Sequence, residues 1–243
     1  MLWPGTEPGG VRGEGAKNNY HGMHFAYSLV TSCIATLVDY HIIIGEDMLD
    51  FDHRGLIPPF VGKATDFDRS PYFVSLLEFV DFFTTGRREF DILKRITLLK
   101  NFMEYRKMLH SSGLTSGFQW VNGSFVTNKE EIKKEAPNDI DVVTIFILGS
   151  GISQQSFAYQ YPYLFDNEAI KNGLHIDSHY LVLEQSNVNL ESLIEQINYW
   201  NNLWSHQRDT LLWKGYIRLD LSPDQDDLAL KWLERLSKGV ENA

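Results

Sequence analysis

Cysteine is almost missing: Cys33 stands alone among 243 residues. A lone thiol excludes an intramolecular disulfide and any Cys-based zinc site, and it is compatible with a reducing compartment, so a cytoplasmic setting is expected. Positive charge is also scarce. Lys and Arg number 22 against 32 Asp and Glu, giving a formal net charge of −10; this argues against a broad surface that coats nucleic acid and confines any RNA contact to local basic stretches. Long hydrophobic runs are lacking too. The apolar and small-polar stretch from Phe25 to Val38 is too short to span a bilayer, and Asp39 and His41 break it before Ile42-Ile43-Ile44. No membrane anchor is expected.

What is present suffices for one core, since hydrophobic residues make up 43% of the chain and aromatics 13%. Residues 1–20 are rich in Gly with scattered charge. We therefore expect residues 1–47 to form a poorly structured or non-native extension, with Met48 a natural beginning, and residues 48–243 to form one domain.

The chemistry concentrates in two short segments. Val121-Asn122-Gly123-Ser124-Phe125 reads as a strand ending in a tight turn, and Asn138-Asp139-Ile140-Asp141-Val142 opens the apolar run that continues to Leu148. Side chains at i and i+2 share a strand face, so Asp139 and Asp141 point the same way. Their mutual repulsion would be relieved by Mg²⁺ or Mn²⁺, because hard cations prefer carboxylate oxygens. Gly123 offers close approach of backbone, and Ser124 supplies a hydroxyl and an N–H suited to a phosphate oxygen. An isolated DxD is most often a pair of solvated aspartates at a strand mouth. A third acid strengthens it: His175, Asp177 and His179 alternate along another predicted strand that runs on to Leu183.

A Gly-Ser turn, a DxD strand and a later acid-bearing strand together resemble the nucleotidyltransferase superfamily related to DNA polymerase beta. Leu56-Ile57-Pro58-Pro59-Phe60, Arg69-Ser70-Pro71-Tyr72, Gly123 to Thr127 and Pro137 to Asp141 further resemble a bacterial family of nucleotidyltransferase-like proteins of unassigned function. The resemblance implies an α+β fold, a mixed sheet flanked by helices with a helical N-terminal part. It maps Gly123 and Ser124 onto the turn, Asp139 and Asp141 onto the metal-binding pair, and Asp177 onto the third acid. Two departures stand out: the gap between turn and DxD is longer than in minimal members, and Ser178 follows Asp177 where a hydrophobic residue is usual.

Capping and periodicity outline the remainder. Ser70-Pro71 is expected to open a helix through Phe73, Leu76, Val80 and Phe83 that stops near Gly86, and Ile92, Ile96, Leu99 and Met103 mark a second from Arg88 to about His110. Asp166 and Asn189 are expected to cap helices ending at Gly173 and near Gln207, and Lys214 to Leu221 alternates like a strand. Ser222-Pro223 should open a terminal helix that Gly239 stops, with Asp224, Asp226 and Asp227 at its positive end. The alternation of Phe157, Tyr159, Tyr161, Tyr163 and Phe165 around Pro162 suggests an extended segment with one packed face rather than a base-stacking platform.

Basic residues add a second tier. Arg208 and Lys214 are placed to reach phosphates, although a structural ion pair is the commoner role for such residues singly. Lys129, Lys133 and Lys134 alternate with Glu130, Glu131 and Glu135, the pattern of a solvated helical face. Arg87 and Arg88 read as helix-boundary charges. A transition-metal site at His175, Asp177 and His179 is geometrically awkward, because alternate Cβ atoms lie roughly 6.5–7 Å apart along a strand.

The expected function is therefore transfer of a nucleoside monophosphate from an NTP to a hydroxyl on a protein, a tRNA end or a small molecule. Asp139, Asp141 and Asp177 would hold Mg²⁺ or Mn²⁺ and activate the hydroxyl, with Gly123, Ser124, Arg208 and Lys214 on the phosphates. A catalytically inactive binding or antitoxin-type module, paired with a protein from the same operon, is the alternative; phosphoester hydrolysis ranks third.

Overall fold

The strands pack on a pleated, half-buried surface, which favours the β-branched and aromatic residues that fill 142–146. In the computed structural model they are β1 (Tyr72–Phe73), β2 (Phe118–Asn122), β3 (Ile140–Leu148), β4 (Ile176–Glu184) and β5 (Ile217–Asp220). They form a mixed five-stranded sheet of order β1-β5-β2-β3-β4. Strand β2 is antiparallel to both β3 and β5, whereas β3 with β4 and β1 with β5 are parallel. The structure describes residues 50–63, 65–85, 89–185 and 188–241, which belong to the unit Gly45–Ala243. The expected extension over 1–47, the Met48 start, the stop at Gly86 and the Arg87-Arg88 boundary lie outside the described residues.

The helices are α1 (Leu76–Thr84), α2 (Glu89–Ser111), α3 (Lys129–Lys133), α4 (Gln154–Gln160), α5 (Asn167–Leu174), α6 (Leu190–Trp204) and α7 (Asp226–Glu241). The fold is α+β, as expected. Strand alternation assigns the layers. Val142, Thr144 and Phe146 face α2, whose Tyr105 hydroxyl lies 3.2 Å from Thr144 Oγ1. Val143 and Ile145 face the other way, into a cluster with Trp120, Leu181, Tyr216 and, from the end of α6, Trp204. On the α2 side, Arg106 is fully buried and donates to Gln119 Oε1 (2.7 Å), to the Asp220 and Ser222 carbonyls and to Asp226. This fork ties α2 to the end of β5 and the start of α7, and it satisfies a charge that would otherwise be costly to bury.

Several boundaries differ from expectation, each for a local reason. Ser70-Pro71 does not start a helix. Ser75 does, in a reciprocal capping box with Glu78, while Tyr72 and Phe73 pair with β5. The segment 157–165 is not extended: a second capping box, Ser153 with Ser156, opens α4, and a 3₁₀ turn follows over Pro162–Leu164. Its aromatics meet at helical spacing, with Phe157 and Tyr161 centroids 4.9 Å apart. Asp166 and Asn189 cap α5 and α6 as expected, accepting from Ala169 N and Ser192 N. Helix α5, however, runs through Gly173 and ends at His175 in a left-handed conformation (φ 57°). Helix α6 stops at Trp204, short of Gln207, and α7 continues past Gly239. A single helical glycine costs only about 1 kcal/mol, too little to end a helix held by packing.

Candidate active site

Register creates the site. Antiparallel pairing sets Asn122 opposite Asp141, and parallel pairing sets Asp141 opposite Asp177. Asp139, Asp141, Asp177 and His179 occupy alternate positions that share the α6 side of the sheet with Val143 and Leu181. Asp141 and Asp177 from neighbouring strands, and Asp139 just before β3, thus gather at one sheet end.

The turn after β2 is fitted to them. Gly123 has φ +80°, and a Cβ built on it would fall 1.6 Å from Asp141 Oδ2. The Asp141 carboxylate therefore lies directly over the Gly123 backbone, in space that any side chain would fill. Asn122 Nδ2 donates to the Trp204 carbonyl (2.9 Å), linking the end of β2 to the end of α6. Beyond Ser124 the chain is pinned from behind by Arg95 of α2. Its guanidinium is fully buried, pairs with Glu130 and donates to the Phe125 (2.8 Å) and Thr127 (2.9 Å) carbonyls. Glu130 of α3 is thus buried in an ion pair, a correction to the fully solvated face expected for 129–135.

The electrostatics are strongly coupled. Burial, then the neighbouring Asp139 and Asp177 charges, push the Asp141 carboxyl up to about 6, against the pull of Lys214 and Lys171. Lys214 is buried on the other side; desolvation pushes its ammonium down to about 8, opposed by Asp141. Its Nζ donates to the Gly123 carbonyl at 3.3 Å. Lys171, in the last turn of α5, lies 2.5 Å from Asp177 Oδ2 and 4.0 Å from Asp139 Oδ2. The hydrogen bond to Asp177 holds its ammonium above the usual lysine range. His179 Nε2 is 3.4 Å from Asp177 Oδ1, and burial pushes this imidazole down. His175 lies outside the strand at the α5 cap, so the three-residue His-Asp-His face is not formed.

Lys171 and the three acids line a cleft of about 610 Å³. Gly123, Ser124, Arg208 and Lys214 line it with all three acids, and so do Lys129 and Lys133. Sequence reasoning missed Lys171, Arg54 and Asn122 in the lining. Lys171 reaches the acids because the left-handed turn at His175 folds α5 back onto β4, a reversal that helical periodicity does not announce. Arg54 comes from the segment that meets the turn through the Leu56–Thr127 bridge.

A hard divalent cation fits this donor set. Mg²⁺ is commonly held by one or two carboxylates together with substrate phosphates. Asp139 and Asp141 supply the pair, and both line the cleft that Gly123 and Ser124 border. Among the described residues no group of three His, Cys, Asp or Glu side chains is arranged to hold an ion; Asp177 is occupied by Lys171. Among the described residues, also, no helix is long and apolar enough to cross a membrane.

Comparison with protein families places the chain. Residues 49–220 match a family of unknown function, DUF6932, and the chain belongs to it. The matched span contains the Gly-Ser turn, all three acids, Lys171 and Lys214. No curated protein and no solved structure matches.

Proposed function

We propose that this DUF6932 member is a metal-dependent nucleotidyltransferase, moving a nucleoside monophosphate from an NTP to a hydroxyl acceptor. The observation that carries the reading is the β3–β4 register. It sets Asp177 opposite Asp141 at the sheet end where Gly123 abuts the Asp141 carboxylate. A Gly-Ser turn, a DxD and an acid on the neighbouring strand are the elements on which the superfamily resemblance rests.

A Mg²⁺ or Mn²⁺ ion held by Asp139 and Asp141 would neutralise triphosphate charge and polarise the phosphoryl group. The chain's own residues do the rest. Gly123 and Ser124 present backbone and hydroxyl to phosphate oxygens, and Lys214, beside Gly123, and Arg208 give the cleft cationic groups for the departing pyrophosphate. Asp177 faces the incoming hydroxyl and takes its proton, while the cleft walls align acceptor and α-phosphorus.

A second reading, a nucleotide-binding or antitoxin-type module without turnover, is favoured by one contact: Lys171 already neutralises Asp177. The two readings part in a transfer assay. With each labelled NTP, Mn²⁺ and a cell lysate as acceptor source, the enzyme gives a labelled adduct and pyrophosphate, and the Asp139→Ala/Asp141→Ala variant gives neither. Identical behaviour of wild type and variant would leave only the binding module.

A further inference from the structure

We propose that Lys171 is a tethered counter-cation that occupies the place of a second metal ion, so that the site takes one divalent cation and not two. The inference rests on the nucleotidyltransferase reading above and adds to it a positioning residue that the sequence motif does not contain.

The argument is geometric. Helix α5 ends at His175, whose N–H donates to the Lys171 carbonyl (3.0 Å) and whose left-handed backbone turns the chain straight into β4. Lys171 and Asp177 are thereby brought face to face across a tight reversal. From this anchored base the ammonium lies 2.5 Å from Asp177 Oδ2 and 4.0 Å from Asp139 Oδ2. It therefore bridges one carboxylate of the DxD pair and the acid on the neighbouring strand. A second divalent ion shared by these two acids would need that same position. An incoming ion would have to break a short, charge-assisted hydrogen bond and compete with a tethered ammonium for both carboxylates.

Asp141 is situated differently. It has no direct contact with Lys171, lies over Gly123, and faces the buried Lys214. Asp139 and Asp141 both line the cleft, while Asp139 and Asp177 already share the Lys171 ammonium. Lys171 is also half-exposed (48%), so its replacement removes no core packing and the variants below are expected to fold.

Lys171 acts through Asp177 and Asp139 and is accordingly a positioning residue. The test counts ions. Manganese is titrated into the full chain with a non-hydrolysable NTP analogue present and followed by electron paramagnetic resonance. One bound Mn²⁺ per chain is expected for wild type, two for Lys171→Gln, and one again for Lys171→Arg, which keeps the charge. Two ions in wild type, or no additional ion in Lys171→Gln, overturns the inference and leaves the metal-site reading intact. No bound Mn²⁺ in wild type or Lys171→Gln overturns the nucleotidyltransferase reading itself, and the inference with it.

Discussion

Asp141 is poorly placed for stability and well placed for binding a cation. Its carboxyl is held at about 6, from an ordinary 3.8, chiefly by burial and then by Asp139 and Asp177. A raised acid destabilises the native state where it is forced to ionise: the cost is full above about pH 6 and absent below 3.8, where folded and unfolded chains are both protonated. Asp141→Asn keeps the shape and removes the charge. In metal-free buffer the variant should be more stable than wild type at pH 7.5, on the order of 2–3 kcal/mol. The advantage should shrink as pH falls from 6 to 4. Urea denaturation at the two ends of this range checks it, and equal stability at pH 7.5 would mean that neither burial nor the neighbouring acids raise the Asp141 carboxyl. The same substitution should weaken Mn²⁺ binding, the stability–function trade expected of a site built from like charges.

At the scale of elements, the Gly-Ser turn is held in place by residues far from it in sequence. Arg95→Ala would remove the guanidinium from buried Glu130 and leave the Phe125 and Thr127 carbonyls without this donor, costing about 3–5 kcal/mol. An apolar pair, Arg95→Met with Glu130→Leu, should recover much of this, because a buried ion pair is often no more stabilising than well-packed hydrophobic residues. Nucleotide affinity should stay impaired in that double variant, since the carbonyl contacts that fix the turn are still missing. Chemical denaturation and nucleotide titration separate the two effects. The pair also marks where sequence reading stops. Periodicity and capping rules located β2, β3, β4, α2 and the caps Asp166 and Asn189, because those signals are local. They put Asp141 and Asp177 on strands, with Asp139 just before the first of them, and Arg208 and Lys214 line the same cleft. Nothing local marks out Arg95 among the charges of α2, since Glu130 lies thirty-five residues away. Ser70-Pro71 carried a start signal that Ser75 answered better, and Lys171 gained its position only from a left-handed turn.

For the whole molecule, ligand binding and folding are one equilibrium. Any nucleotide–metal complex that binds the folded chain alone raises its stability by RT ln(1 + [L]/Kd), about 2.7 kcal/mol at a hundredfold excess over Kd. In a unit of this size each kcal/mol moves the midpoint by about 2–4 °C, so roughly 5–10 °C is expected for wild type with NTP and Mn²⁺. Asp139→Ala/Asp141→Ala should show little of this shift, because an NTP without its counter-ion meets a chain whose formal charge is −10. Raising the salt concentration should diminish the wild-type shift, because the exposed lining cations Arg208 and Lys133 would attract an anionic ligand at a solvated rim where screening is effective. A thermal shift depends on binding alone and is therefore common to the enzyme and the silent module. The informative comparison sets it against pyrophosphate release in the same samples. A shift with release marks turnover, a shift without release marks a sensor, and four NTPs that move nothing would remove nucleotide from the cleft altogether.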